Sequence, residues 1–577
     1  MRFVRRPIEA LIQTTAGGWL GFEDPARVVC ADGAGSVRSA LADVERLTRD
    51  LGFHAVGFVT YEAAEAFDLA VRPVAGDLPL VWFALFEPAQ VRPVAAPVAS
   101  GSYELERLVP SFDRASFTAA FERIKTHLAA GDTYQVNLTF TIGGQFAGDP
   151  RALFADLVSA QQGAHSAYLS SGDWSICSAS PELFFEIEGT AIRARPMKGT
   201  TSRGRTGIED AMRRDSLFAS EKQRAENVMV VDMVRNDLGR IAEVGSVTVP
   251  ELFTVERYPG VWQMTSSVTG RTLAPLEDVF AALHPSASVT GAPKVRTMQI
   301  VRALEPAPRG VYTGAIGHIR PDGDARFNVA IRTAVVDNRT GRIVFGTGSG
   351  IVWDSDPAAE YDECLLKSAI LGRRAAAYEL LETMRWSPGE GFFLLERHLA
   401  RLRSSADYFG FPLDMHAVMS ALIIAVRDAS EVRRVRLLLS KDGEVRAEEG
   451  AIGPGPTPMR VTMAAGPVDS QDVFLFHKTT NRAVYEAARV EGFDETILWN
   501  GDRQVTEATT ANLVVEIDGR RLTPPAGCGL LAGTYRAELL DRGELEEAVI
   551  PVGELRRAER LWLINSVHEW RLAALSS

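Results

Sequence analysis

"SPELFFEIEGTAIRARPMKGT", residues Ser180 to Thr200, is the stretch on which the reading of the fold turns. Two β-rich runs flank Glu188, Gly189 and Thr190, which is the composition of a hairpin turn. A turn centred on residue 190 sets Glu182 opposite Lys198, and cross-strand partners have Cβ atoms about 4.5 to 5.5 Å apart. A carboxyl group and an amine would then share one small space. Two readings of that pair stay open: a cross-strand ion pair worth under about 1 kcal/mol, or a general acid beside an amine nucleophile.

Working outward, Phe117, Phe121, Ile124 and Leu128 recur at helical spacing, with Gly131 placed to end the helix. "TYQVNLTF" follows and alternates, with Tyr134, Val136, Leu138 and Phe140 on one face and Gln135, Asn137 and Thr139 on the other. The polar face reads as a solvated edge or as amides lining a pocket. Downstream, "EKQRAENVMVVDMVRNDLGR" carries an apolar stripe of Val228, Val231, Val234 and Leu238, with Glu226, Met233 and Asp237 on another face. In "DSDPAAEYDECLLK", Asp356 caps a helix with Pro357 at its first position, so Glu360, Glu363 and Lys367 share a face. Acidic helix faces are usually only solvated. Mg²⁺ nevertheless binds through as few as one or two carboxylates plus substrate, which makes Glu226 with Glu363 a candidate pair. "FGTGSGIV", Phe345 to Val352, offers backbone N–H groups to an anion but does not fit a dinucleotide fingerprint.

The 577 residues exceed what one core supports and suggest three or four lobes. "EPAQVRPVAAPVASGS" (Glu87 to Ser102) and "GPGPTP" (Gly453 to Pro458) read as breaks. Between them strands and helices mix without regular βαβ alternation, which favours an α+β core. A formal net charge of −12 argues against nucleic acid or an anionic membrane as partner. Cys30, Cys177, Cys364 and Cys528 form neither a zinc spacing nor a disulfide framework. "MRFVRRPIEALIQ" lacks an apolar h-region, and no stretch approaches 18 apolar residues. A cytoplasmic protein is expected.

"GDTYQVNL", "SPELF", "PMKGT", "AENVMVVDMVRNDLGR", "HPSASVTGAPKVRTMQIV", "GVYTGAIG", "AIRT", "GSGIVWDSDP" and "EYDECLLK" resemble, in order, the motifs of the chorismate-utilising enzymes over roughly Gly57 to Leu371. Within that family the anthranilate synthases carry alanine before "GT", whereas aminodeoxychorismate synthase component I carries lysine, so Lys198 implies amination to 4-amino-4-deoxychorismate. By that resemblance Lys198 attacks C2 of chorismate while Glu182 protonates the departing hydroxyl. Mg²⁺ would sit on Glu226 and Glu363, and Arg332, Lys367, Gly348 and Gly350 would hold a carboxylate. Thr290, Gly291 and Tyr312 would line the site. Gln135 stands where isochorismate synthases have a water-activating lysine, which argues against hydration. Met197 replaces the more usual isoleucine, an apolar exchange of similar volume.

After residue 371 the resemblance changes. "HKTTNRAVYEAARVEGFDETILWNGDRQVTEATTANLVV", "FFLLERHLARLRSSADYFGFP", "LLAGTYRAELL" and "LINSVHEW" are similar to the fold-type IV pyridoxal-phosphate enzymes over roughly Tyr378 to Ala574. That likeness makes Lys478 the cofactor-carrying lysine and proton shuttle, and Glu507 the partner of the pyridine nitrogen. Arg401, the backbone at Gly533 and Thr534, and Asn565 with Ser566 would bind the phosphate, with Asn512 in support. The family's usual signatures before "LLETMR" are absent, so contacts they make across a homodimer are not carried over. The two resemblances imply a chorismate-utilising fold, a sheet sandwich flanked by helices, over residues 1–371, with an N-terminal lobe 1–100 and a core 101–371. A two-lobed fold-type IV domain follows over 372–577. Together they imply p-aminobenzoate synthesis for folate, with ammonia from a separate glutamine amidotransferase. An anthranilate or isochorismate synthase fused to an aminotransferase is the alternative, and a chorismate-binding regulatory module fused to a degenerate pyridoxal protein is a third class.

Overall fold

The computed structural model describes residues 8–576 except Ala75, Asp77, Ala99, Ala375, Ala376 and Pro454. The basic start of the chain, 1–7, and Ala99 and Pro454 within the two expected breaks thus lie outside the described residues. The chain divides into two units, Met1–Ser202 with Arg214–Ala375, and Arg203–Arg213 with Ala376–Ser577.

Two ten-stranded antiparallel sheets form the first unit. One runs Gly291–Ala292, Gln135–Gly148, Arg342–Ile351, Thr333–Asp337, Trp174–Ser180, His165–Ser170, Glu9–Gln13, Trp19–Glu23, Val91–Val94, with Tyr103–Pro110 paired to Gln135–Gly148. The other runs Met197–Ser202, Val261–Arg271, Ala191–Arg195, Leu183–Glu188, Ala325–Val329, Ala315–Ile319, His54–Val59, Val81–Phe86, Arg27–Ala31, with Thr248–Arg257 beside Val261–Arg271. Phe22, Leu169 and Ile176 from the first sheet pack on Val56, Phe58 and Trp82 from the second. Helices Arg114–Ala129, Pro150–Gln161 and Lys294–Leu304 cover the first sheet's outer face, and Ala34–Leu51, Glu221–Gly239 and Leu276–Leu283 cover the second's. Cover on both faces explains why Val81–Phe86 reads VWFALF without alternation and is buried throughout. The stretch expected as an N-terminal lobe supplies strands to both sheets.

Several local expectations hold. Phe117, Phe121 and Ile124 are buried in the helix Arg114–Ala129, and Gly131 follows it at φ +74°. Asp356 caps Pro357–Ser368 by accepting the Ala359 N–H at 2.9 Å.

Three expectations need correction. The hairpin closes as Glu188↔Ala191 and ends at Leu183↔Arg195, so Lys198 is not on its second strand. Pro196 has no N–H for the ladder, and the chain restarts as Met197–Ser202, paired to Val261–Arg271. In the helix Glu221–Gly239, Val228 is 41% exposed and Val230 is buried in its place. In "TYQVNLTF" the strand begins at Gln135, leaving Tyr134 68% exposed, while Gln135, Asn137 and Thr139 are buried rather than solvated. Asn137 Nδ2 donates to Val289 O at 3.1 Å, and the Thr139 N–H and hydroxyl each donate to Glu305 Oε1 at 2.9 Å. Neighbouring backbone and Glu305 supply the partners that water would otherwise provide.

The second unit holds a four-stranded antiparallel sheet, Gly391–Phe392, Leu380–Ser387, Arg433–Leu439, Val445–Ala451. Its eight-stranded mixed sheet runs Val505–Ala508, Glu495–Trp499, Met459–Met463, Glu569–Leu575, Arg560–Asn565, Asn512–Ile517, Arg520–Thr523, Glu546–Glu547. The Gly/Pro break lies between Ala451 and Met459, where the chain passes from one sheet to the other. Among the described residues no helix is long and apolar enough to cross a membrane.

Candidate active sites

Lys198 lies on a β-bulge. Between Met197↔Thr265 and Thr200↔Gln263 the first strand carries one residue more than its partner, and Gly199 takes φ +96° to allow it. A bulge re-aims the side chain beside it. Asn227 Nδ2 then donates to the Lys198 carbonyl at 3.1 Å and Gln263 Nε2 to the Gly199 carbonyl at 2.9 Å, which fixes the backbone under the amine.

The amine ends over the sheet carrying Gln135 and Gly350. A Cβ placed on Gly350 would lie 2.6 Å from Lys198 Nζ and 3.5 Å from Gln135 Nε2, so all three residues converge. Gln135 Oε1 is buried without a partner among the described residues, an acceptor that a ligand N–H or O–H would satisfy. Gly291, at φ +148°, is Cα partner of Val136, which sets Thr290 and Gly291 beside Gln135. Tyr312 packs against Gly346, where a Cβ would meet its ring at 2.0 Å. Arg332 Nη1 donates to the Lys367 carbonyl, and Lys367 Nζ pairs with Glu363 at 2.6 Å and donates to Gly348 O at 2.9 Å. Burial lowers Arg332 to about 10 despite the neighbouring Tyr312, and among the described residues no carboxylate pairs with it.

Glu182 is 3% exposed, and burial raises its pKa to about 7 against the pull of the Ser288 hydroxyl, the Met197 N–H and the Lys198 charge. Burial also holds the Lys198 amine below its ordinary value, opposed by Glu226 and Glu363. These carboxylates thus act on the same amine, and their hard oxygens with a substrate carboxylate suit Mg²⁺. No group of three or more metal-ligating side chains occurs among the described residues. A cavity of ≈ 230 Å³ between the sheets, lined by His54, His165 and His318, shares no residue with this site.

Gly350→Ala tests the convergence directly. Displacing the amine by about 1 Å costs on the order of 10²-fold in rate, so turnover at Lys198 is expected to drop by that order while thermal unfolding stays near wild type. Unchanged turnover would place the amine elsewhere.

In the second unit Lys478 follows His477, and its carbonyl accepts the Leu381 N–H at 2.9 Å, which stitches the lysine loop to the strand Leu380–Ser387. Burial and the Arg401 cation lower the amine to about 8, against Glu382 and Glu507. Glu507 is buried and raised to about 7 by desolvation, although it accepts the Leu531 N–H at 3.1 Å and the Tyr485 hydroxyl at 2.9 Å. Asn512 Nδ2 donates to Leu531 O at 2.8 Å and to Glu507 Oε2 at 3.3 Å, and a Cβ on Gly533 would meet its oxygen at 2.0 Å. Gly533 therefore has to be glycine to precede the helix Thr534–Asp541.

Glu382 and His398 escaped the sequence reading. Arg401 donates through Nε and Nη2 to the Glu382 carboxylate at 2.8 and 2.7 Å. His398 bridges Glu382, 2.6 Å from Nδ1, to the Thr534 hydroxyl, 3.2 Å from Nε2. Burial would raise Glu382, yet Arg401 and His398 hold it at about 2. Ser566 donates to Thr383 O at 3.1 Å, and Asn565 Oδ1 accepts the Val567 and His568 N–H groups. A lysine amine, a buried carboxyl and a helix N-terminus beside an arginine form a donor set that fits pyridoxal phosphate.

Comparisons agree with this division. Residues 12–373 match the family described as chorismate binding enzyme, and 379–574 match amino-transferase class IV. Aminodeoxychorismate synthase component 1 of Bacillus subtilis (strain 168) is 39% identical over 273 residues, 47% of this chain and 57% of that protein. Anthranilate synthase component 1 of Streptomyces coelicolor is 40% identical over 281 residues, 48% of this chain and 54% of that one. The chain thus spans little more than half the length of these curated relatives. Among solved structures, anthranilate synthase component I from Streptococcus pneumoniae TIGR4 shares the fold, with TM-score 0.52 at 23% identity over 65% of this chain and 94% of that chain. The chain belongs to the chorismate binding enzymes and continues into a class IV aminotransferase domain of the fold-type IV class.

Proposed function

We propose that the chain converts chorismate to p-aminobenzoate in two steps, amination at Lys198 and elimination of pyruvate at Lys478. One observation carries the reading: the Lys198 amine converges with Gln135 at Gly350 and its charge acts on the buried Glu182, while desolvation raises the acid and lowers the amine. That arrangement lets the carboxyl keep its proton while the amine beside it loses its own.

Lys198 Nζ forms a bond to C2 of chorismate as the ring double bonds shift. The C4–O bond breaks, and the hydroxyl leaves as water with the proton from Glu182. Ammonia then adds at C4, the electrons shift back, and the Lys198 amine is expelled, which gives 4-amino-4-deoxychorismate. Gln135 is neutral at any working pH and cannot take a proton from water, which favours an amine over hydration. Its unpartnered oxygen suits an N–H of the incoming ammonia. Arg332, Lys367 and the backbone at Gly348 and Gly350 hold one carboxylate, Thr290, Gly291 and Tyr312 line the ring, and Glu226 with Glu363 would hold Mg²⁺ against the other carboxylate.

In the second step Lys478 binds the cofactor and carries the C4 proton, while the C–O bond to the enolpyruvyl group breaks and the ring becomes aromatic. Pyridoxal phosphate, when bound, supplies the electron sink. Glu507 would pair with the ring nitrogen, and Arg401, the backbone at Gly533 and Thr534, and Asn565 with Ser566 would hold the phosphate. Ammonia comes from a separate glutamine amidotransferase, in keeping with relatives named as component 1, and the second unit is the surface for a homodimer.

Incubation of the chain with chorismate, Mg²⁺, pyridoxal phosphate and ammonium is expected to yield p-aminobenzoate and pyruvate. Anthranilate or isochorismate as product would overturn the reading of Lys198. Accumulated aminodeoxychorismate would overturn that of the second unit.

A further inference from the structure

The geometry points to Ser288 as a positioning residue for Glu182, one whose hydroxyl decides which carboxyl oxygen carries the proton and then stabilises the carboxylate left behind. This rests on the proposed acid role of Glu182. Ser288 Oγ donates to Glu182 Oε1 at 2.5 Å, and Ser286 Oγ lies 3.0 Å behind it. A carboxylic acid whose Oε1 accepts that hydroxyl holds its own proton on Oε2.

Both partners are held by their backbones, so the contact is built rather than incidental. The Glu182 N–H donates to Ser180 Oγ at 3.2 Å, and its carbonyl accepts the Val329 N–H at 3.1 Å. Ser288 lies in the 3₁₀ turn Ala287–Val289, where the Val289 carbonyl accepts Arg309 Nη1 at 2.8 Å. Arg309 in turn is a buried cation paired with Glu305 at 2.7 Å. The Thr290 hydroxyl closes the turn onto Ser286 O at 3.1 Å. The other groups facing Glu182 are the Lys198 amine, the Tyr258 phenol and the Met197 N–H.

Once the proton has gone to the leaving hydroxyl, the Ser288 bond becomes charge-assisted and about twice as strong. Ser288 therefore makes Glu182 a stronger acid as well as an oriented one. Without it the carboxyl should hold its proton to higher pH and give it up less readily.

The test is Ser288→Ala in the full chain with saturating chorismate and ammonia. Turnover to aminodeoxychorismate is expected to fall about 10- to 100-fold, the weight of one hydrogen bond to a charged group, with KM for chorismate unchanged. Infrared difference titration, with Glu182→Gln as the blank, should show the carboxyl midpoint rise by roughly one pH unit. Ser288→Thr keeps the hydroxyl and should restore both values. A structural role alone would raise KM and leave the midpoint where it was. An unchanged midpoint in Ser288→Ala overturns the assignment, whatever the rate; a wild-type chain that never aminates chorismate removes the acid role itself, and the inference with it.

Discussion

Lys198→Ala is expected to reduce amination of chorismate by at least about 10³-fold, the scale of losing an activated nucleophile. Its amine ends 2.6 Å from where a Gly350 Cβ would sit, so alanine leaves a gap that nothing on the neighbouring strand can fill. The substituted residue stays on the bulge fixed by Asn227 and Gln263, which hold backbone rather than the side chain. Folding should therefore survive, and thermal unfolding should remain close to wild type. Lys198→Arg is no rescue, because a guanidinium stays protonated at every working pH and cannot attack carbon. Added aminodeoxychorismate should still be converted by the variant, which separates the first site from the second. The measurement is product formation from chorismate and ammonium, resolved by chromatography; near-normal amination by Lys198→Ala would sink the covalent step.

What the sequence made legible follows how local each feature is. Caps, stops and helical periodicity at Asp356, Gly131 and Phe117 depend on neighbours in the chain, and all appear where the pattern puts them. Lys198 does act on Glu182, but not across the hairpin that the sequence suggests. Simple hairpin counting passes through Pro196, which ends the ladder, and through a bulge at Gly199 that depends on pairing with Val261–Arg271. Burial of Gln135, Asn137 and Thr139 was equally hidden, since alternation reports that two faces differ and not that both are covered. Partners distant in sequence left no signal at all. Ser288 reaches Glu182 across more than a hundred residues, and Glu382 joins Arg401 and His398, with His398 linking on to Thr534, from three separate segments. Tyr485, seven residues beyond Lys478, could have been suspected from its motif, but only the fold brings its hydroxyl onto Glu507.

Lys478→Ala is expected to stop p-aminobenzoate formation altogether, with aminodeoxychorismate accumulating from chorismate at the wild-type rate of the first step. Burial and Arg401 bring the amine down to about 8, so near neutral pH an appreciable fraction is already free to bond the cofactor and to take up a proton. Glu507, at about 7 before any cofactor is bound, can ionise as soon as a protonated ring nitrogen faces it. Alanine removes both the attachment and the proton carrier, so the loss should exceed about 10³-fold. The visible absorbance of bound cofactor should vanish in parallel, a readout independent of turnover. Lys478→Arg should behave like the alanine variant, since its charge cannot be shed. Glu507→Gln, in contrast, should keep the bound absorbance and lose most of the elimination, because an amide cannot hold the ring nitrogen protonated. Retained elimination in Lys478→Ala would mean that another base moves the C4 proton, and that this lysine serves the fold alone.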